Sequence, residues 1–191
     1  MSTLVLICGY ARAGKDTLAA GFLDRWNVSK GPVVHVNFAD SLKDAGNTYL
    51  ASVGLFKEGE RDFRQDSFKV RNRRFLVEAG TFARSINRDV FAEAFAAKAN
   101  RWKESLIEHL IVCSDWRYLN ELRVCQAALP GWRIITIRVD TTGVEAANEE
   151  EGLSIGEITR EVPFDISFKF LPDSAQLIKA EGKNLCRSFG Y

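Results

Sequence analysis

Apolar runs and helical periodicities alternate along the whole chain. The first run, "TLVLIC" at 3–8, has no polar interruption, the pattern of a strand buried on both faces of a parallel sheet. From about Lys15 to Trp26, Leu18, Phe22 and Trp26 recur every four positions, which predicts an amphipathic helix. "PVVHVNF" (32–38) reads as a second strand. "ADSLKDAGNTYLASVG" (39–54) reads as a helix, with Asp40 or Ser41 as the candidate cap and a stop near Gly54.

The middle of the chain changes character. Phe56 to Arg74, "FKEGERDFRQDSFKVRNRR", is polar and densely charged, and the helical region after it reads as two helices broken near Asn87. "EHLIVCSD" (108–115) is a third strand ending in an aspartate. "YLNELRVCQAAL" (118–129) is a helix closed by Pro130-Gly131, and "WRIITIRV" (132–139) is a fourth strand. Residues 140–152 are polar and acidic, as expected of a mobile loop. "GEITREV" reads as helical, "FDISFKF" (164–170) as a fifth strand, and "DSAQLIKAEGKNLCRSF" as a capped C-terminal helix. This alternation predicts an α/β fold: a five-stranded, mainly parallel sheet flanked by helices, with right-handed crossovers. With no internal repeat or linker, 1–191 reads as a single domain. Ligands on such sheets sit at the carboxyl ends of the strands.

Composition narrows the function classes only slightly. The 191 residues carry a net charge of +1, so no global field favours nucleic acid or an anionic membrane. Cys8, Cys113, Cys125 and Cys186 are too scattered for a zinc site and read as reduced core thiols. His35 and His109, each beside or within a strand-like run, read as structural. No segment approaches the roughly 18 apolar residues of a membrane span, and the N-terminus lacks a basic leader. A soluble, cytoplasmic protein is expected.

Candidate chemistry begins with "ICGYARAGKDTLAAGFL" (7–23). Gly9-x-x-x-x-Gly14-Lys15 stands between a buried strand and an amphipathic helix, the context a phosphate-binding loop requires. The glycines let the backbone curl so that N–H groups face one anion, and the helix N-terminus adds partial positive charge. Gly9, Arg12, Ala13, Gly14, Lys15, Asp16 and Thr17 are therefore the candidate nucleotide contacts, with Lys15 directed at the β- and γ-phosphates. Asp16 stands where Ser or Thr usually holds magnesium, and Thr17 comes one place later. An aspartate can approach magnesium directly or through water; a helix N-cap is the alternative for Asp16.

Four blocks in order carry a resemblance: "GYARAGKDTLA", "FADSLKDA", "GTFARSINRDVF" and "CSDWRYLNELRV", with "EVPFDISFKFLPDSAQL" following. Over nearly its whole length the chain resembles the bacteriophage-type deoxynucleoside monophosphate kinases. The resemblance implies a P-loop, nucleoside monophosphate kinase-like fold, with an acceptor-binding helical region at about 40–105 and a lid-like segment at about 140–160. It also implies ATP as donor, Mg2+, and a deoxynucleotide acceptor. Asp115 matches the acidic position that orients magnesium-bound water, with a cap on helix 118–129 as the alternative; Asp16 and Asp115 are thus the metal candidates. Arg84 and Arg117 match family arginines, whose guanidinium forks suit phosphate. Asp40 and Lys43 face the acceptor. Lys15, Asp40, Arg84, Asp115 and Arg117 form the catalytic set, and Asp40, Lys43, Arg74, Arg84 and Arg88 the acceptor set. Arg71, Arg73, Arg74 and Arg88 are acceptor or lid charges, or merely solubilising ones. Asn120 and Glu121 match without a role.

Two enzyme readings follow. In the first, the acceptor is a deoxynucleoside monophosphate. In the second, a phage DNA-modifying kinase phosphorylates the hydroxymethyl group of a 5-hydroxymethylpyrimidine in DNA, with Asp40 as base. Phe91 where the family often has Trp, the acidic 140–152 segment and the basic 69–74 cluster keep the second open. A non-catalytic nucleotide-binding switch is the alternative of another class. Monomer and homodimer stay open, and a phage enzyme would work in the host cytoplasm.

Overall fold

The computed structural model describes residues 1–24, 31–55, 62–103 and 107–191. Its centre is β1 (Thr3–Cys8), every residue of which is buried. β1 pairs in parallel with β3 (Leu110–Trp116) on one side and β4 (Arg133–Thr141) on the other. The edges are β2 (Val33–His35), beside β3, and β5 (Ile166–Phe170), beside β4. The order is β2-β3-β1-β4-β5, and every pairing is parallel.

Period-two alternation divides β1 between two cores. Leu4, Leu6 and Cys8 join Phe38, Phe95, Trp116, Leu122 and Ile155 on one face. Val5 and Ile7 join Leu18, Phe22, Ile135, Ile178 and Cys186 on the other. The unbroken apolar run at 3–8 follows from this burial on both sides.

Helices α1 (Lys15–Leu23) and α8 (Ala175–Ser188) cover the second face and cross at a pair of glycines. A Cβ on Gly21 would lie 2.2 Å from the carbonyl oxygen of Lys179, and one on Gly182 would lie 2.2 Å from that of Leu18. The first face carries residues of α2 (Asp40–Ser52), α4 (Arg73–Ile86), α5 (Val90–Lys103), α6 (Leu119–Ala128) and α7 (Glu149–Glu161), while α3 (Asp66–Arg71) sets Phe68 against Phe63.

Several expectations are corrected. The expected helix from Lys15 to Trp26 ends at Leu23 with Asp24 as C-cap, and Trp26 lies outside the described residues. β2 stops at His35, three residues short of the expected strand end, because the chain turns there into α2. Neither Asp40 nor Ser41 is the cap of α2; Ala39 holds that place without a side-chain cap. The charged tract begins outside the described residues at 56–61 but then forms α3. The expected loop at 140–152 is shorter than its composition suggested. β4 runs to Thr141, and Glu149, Glu150 and Glu151 form the first turn of α7 behind the Asn148 cap. Acidic residues are favourable there because they complement the helix dipole.

All four cysteines are buried, and none is in a disulfide. Among the described residues no helix is long and apolar enough to cross a membrane.

Gly182→Ala is expected to lower stability by about 1–3 kcal/mol, because the new methyl group would run into the α1 backbone at Leu18 and Gly21. Gly156→Ala, whose methyl would meet only Arg160 at 3.7 Å, serves as control. Thermal denaturation of the two variants compares them; equal melting points would refute the close crossing.

Candidate functional site

The turn from β1 into α1 occupies the carboxyl edge of the sheet. Gly9 passes so close to β4 that a Cβ there would lie 2.1 Å from the Val139 carbonyl oxygen. Arg12 (φ 66°) and Gly14 (φ 94°) are both left-handed, and the Ala13 N–H donates to the Tyr10 carbonyl at 3.1 Å. Left-handed residues spaced through a short loop are how successive amides are turned toward one anion. Lys15 reaches back across the loop, donating to the carbonyls of Gly9 (2.7 Å) and Tyr10 (2.8 Å). Burial, then the nearby Arg117, lowers its pKa below the usual lysine value. Thr17 follows, half-buried, in the first turn of α1.

Three side chains remote in sequence brace this loop. The Thr141 hydroxyl donates to the Ala13 carbonyl at 3.0 Å. Buried Glu151 accepts from the Ala11 N–H at 3.1 Å and from the Ala147 N–H at 2.8 Å, tying the start of α7 to the loop. Arg138, also buried, pairs with Asp140 at 2.6 Å, donates to Thr159 of α7 at 3.3 Å, and lies 5.4 Å from the Tyr10 ring centre. Neither Glu151 nor Arg138 was recognisable from its local sequence. Glu151 was hidden in an acidic tract and Arg138 in a strand.

The end of β3 supplies a second cluster. Asp115 accepts from the amides of Phe38 (2.9 Å) and Ala39 (3.0 Å), and the Cys113 thiol lies 3.2 Å from it. It therefore caps the start of α2, and the alternative of a cap on helix 118–129 is corrected. That helix, α6, is closed by Glu121, which accepts from Arg117 N–H (2.9 Å) and Tyr118 N–H (3.0 Å). Asn120 ties α6 to the turn after α4 through Asp89 at 2.7 Å. Burial, then the neighbouring Asp115, pushes the Glu121 carboxyl up to about 8.

Asp16, exposed at the loop's mouth, accepts from the buried Ser114 hydroxyl at 2.5 Å. Ser114 in turn lies 2.8 Å from His35 Nε2, and its N–H donates to Asn37 Oδ1 at 3.0 Å. His109 is buried and stacked on Trp102. The other predicted residues separate. Arg84 is held between the rings of Phe91 (4.9 Å) and Tyr118 (4.8 Å), and the Tyr118 hydroxyl donates to Glu150. Arg117 and Arg73 line a cavity of about 50 Å³ with Tyr118, Glu150, Glu151 and Ser154. Asp40 has both oxygens engaged, by Asn37 N–H (2.9 Å) and by Lys43 (3.1 Å). Arg74 pairs with Glu78 at 2.7 Å on the solvent side of α4, and Arg88 is exposed in the turn after it. The structure thus brings Lys15, Asp16, Asp115 and Arg117 to one edge but gives Arg74 a partner elsewhere.

Among the described residues, no three of His, Cys, Asp and Glu converge as a metal cage. The exposed carboxylate of Asp16 beside this glycine turn nevertheless fits magnesium, which binds through one or two carboxylates, water and substrate phosphates.

The sequence matches no protein-family model and no curated protein. Among solved structures, an unliganded sugar kinase from Janibacter sp. HTCC2649 is similar with a TM-score of 0.51 at 12% identity, covering 100% of this chain and 96% of that one. A gluconokinase from Sinorhizobium meliloti 1021 gives a TM-score of 0.48 at 12% identity, covering 98% and 93%. At this identity the first likeness is one of fold: a parallel five-stranded sheet with flanking helices.

Glu121 generates a pH prediction. Its folded pKa of about 8 lies above the ordinary 4.5, so the unfolded chain releases the proton first. Stability should therefore fall as pH rises from about 4.5 to about 8 and level off beyond. Glu121→Gln keeps an acceptor for the two amides and removes this slope. Urea denaturation across that window should move the difference in the variant's favour; a pH-independent difference would count against a buried proton.

Proposed function

We propose that this chain is an ATP-dependent phosphotransferase acting on a deoxynucleotide, with a deoxynucleoside monophosphate as the acceptor. The observation that carries the reading is the loop from Gly9 to Lys15, with left-handed Arg12 and Gly14 and the lysine ammonium across its mouth. A fold shared with a structure described as a sugar kinase supports phosphoryl transfer at the level of class.

Positioning and charge neutralisation are the protein's main tasks in such a transfer. Lys15 exchanges the carbonyls of Gly9 and Tyr10 for the β- and γ-phosphates of the donor. Asp16 and Asp115 are the two candidates to hold magnesium, directly or through water. When bound, the metal offsets charge on the same phosphates. Arg84 is oriented by the two rings it lies between, which leaves its fork for an acceptor phosphate; Arg117, with Arg73 beside the same small cavity, adds positive charge. The α7 segment serves as lid, attached to the loop through Glu151.

A monophosphate is largely ionised near neutral pH, since its second pKa is about 6, and needs no strong base. An alcohol on a DNA base would need one. Asp40, the candidate, has both oxygens occupied, which favours the monophosphate.

Transfer of labelled γ-phosphate from ATP to a panel of deoxynucleoside monophosphates and to hydroxymethylated duplex DNA tests the reading. Label is expected on a free nucleotide. Label on DNA alone would replace the acceptor, and binding of ATP without any transfer would make the protein a switch. Lys15→Ala is expected to cut turnover by about a hundredfold or more with the fold intact by circular dichroism. Unchanged turnover would remove the phosphate-loop assignment.

A further inference from the structure

In the common phosphate loop, the residue after the lysine offers a hydroxyl to magnesium, and a carboxylate at the end of a neighbouring strand supports the same metal. Here a carboxylate stands in the loop hydroxyl's place and meets a strand hydroxyl. The loop supplies the carboxylate, Asp16, and the adjacent strand supplies the hydroxyl, Ser114, with 2.5 Å between their oxygens.

The direction of the hydrogen bonds follows from what each group can do. An ionised carboxylate only accepts, so the Ser114 hydroxyl donates to Asp16. The alternative acceptor, Asn37 Oδ1, lies 3.4 Å away and is the weaker competitor. With its one proton directed at Asp16, Ser114 accepts at its remaining lone pair. His35 Nε2, 2.8 Å away, is therefore the donor. Ser114 is buried and cannot turn to solvent, whereas Asp16 is exposed. Asp115, the strand acid next in line, is already bound to the amides of Phe38 and Ala39.

We infer that Asp16 is the protein's direct carboxylate for the divalent cation of a bound nucleoside triphosphate. Ser114, backed by His35, is the positioning residue that holds Asp16 in place. Asp115 anchors α2. The inference rests on the phosphate-loop reading above and assigns roles within that site.

The test is the affinity for AMPPNP by titration calorimetry, once in EDTA and once in MnCl2, for wild type, Asp16→Asn, Ser114→Ala and the double variant. Manganese is expected to tighten binding to wild type and to do little for Asp16→Asn. Ser114→Ala should reduce the metal enhancement by about tenfold, the scale of a hydrogen bond to a charged group. In the Asp16→Asn background the same change should add nothing, because the two residues act as one unit. Metal-free affinity should not fall in Ser114→Ala, a separation that a purely structural defect would not produce. An unchanged enhancement in Ser114→Ala, or an equal loss with and without metal, overturns this inference alone. Failure of the wild type to bind AMPPNP in either buffer overturns the phosphate-loop reading and this inference with it.

Discussion

The contact between Gly9 and the Val139 carbonyl constrains everything at the carboxyl edge. With only 2.1 Å left for a side-chain carbon, the chain leaves β1 pressed against β4 and can enter α1 only by a tight curl. That curl places Arg12 and Gly14 in the left-handed region and brings Lys15 back over the carbonyls of Gly9 and Tyr10. The strain in a left-handed arginine persists because β1 is buried in the sheet and one face of α1 is packed against α8.

Around the loop, polar groups that would be costly to bury alone are consumed by one another. Glu151 takes the Ala11 amide, Thr141 donates to the Ala13 carbonyl, and Arg138 is shared among Asp140, Thr159 and the face of Tyr10. These contacts make α7 part of the loop's surroundings, joined to it through Glu151 and Arg138. On the other side, Asp115 and Glu121 play parallel structural parts, each closing the start of a helix with a carboxylate. The two acids lie near enough for Asp115 to help raise the Glu121 pKa, which keeps a proton on the more deeply buried of the pair.

The sequence resemblance pointed to deoxynucleotides, whereas the solved structure that shares the fold is a sugar kinase. A shared fold leaves the acceptor open, because function resides in the groups at the strand ends and not in the sheet. The discriminating features of this chain are therefore its own: Arg84 held between two rings, Asp40 closed by Lys43, and a serine behind the loop aspartate.

What the sequence by itself determined is what depends on neighbours along the chain. Burial on two faces makes β1 a continuous apolar run, and glycine spacing sets the tight turn into α1, so the parallel sheet and that turn were legible. Local pattern failed where the partner is remote. Asp40 was expected as a helix cap, but the acceptor at that helix start is Asp115, 77 and 76 residues from the amides it receives. Ser114 and Asp16 are 98 residues apart, and Glu151 and Ala11 are 140 apart. Hydrogen bonds over such separations leave no periodic trace in the sequence. Only the parallel stacking of β3 and β4 beside β1 brings those groups to the same edge.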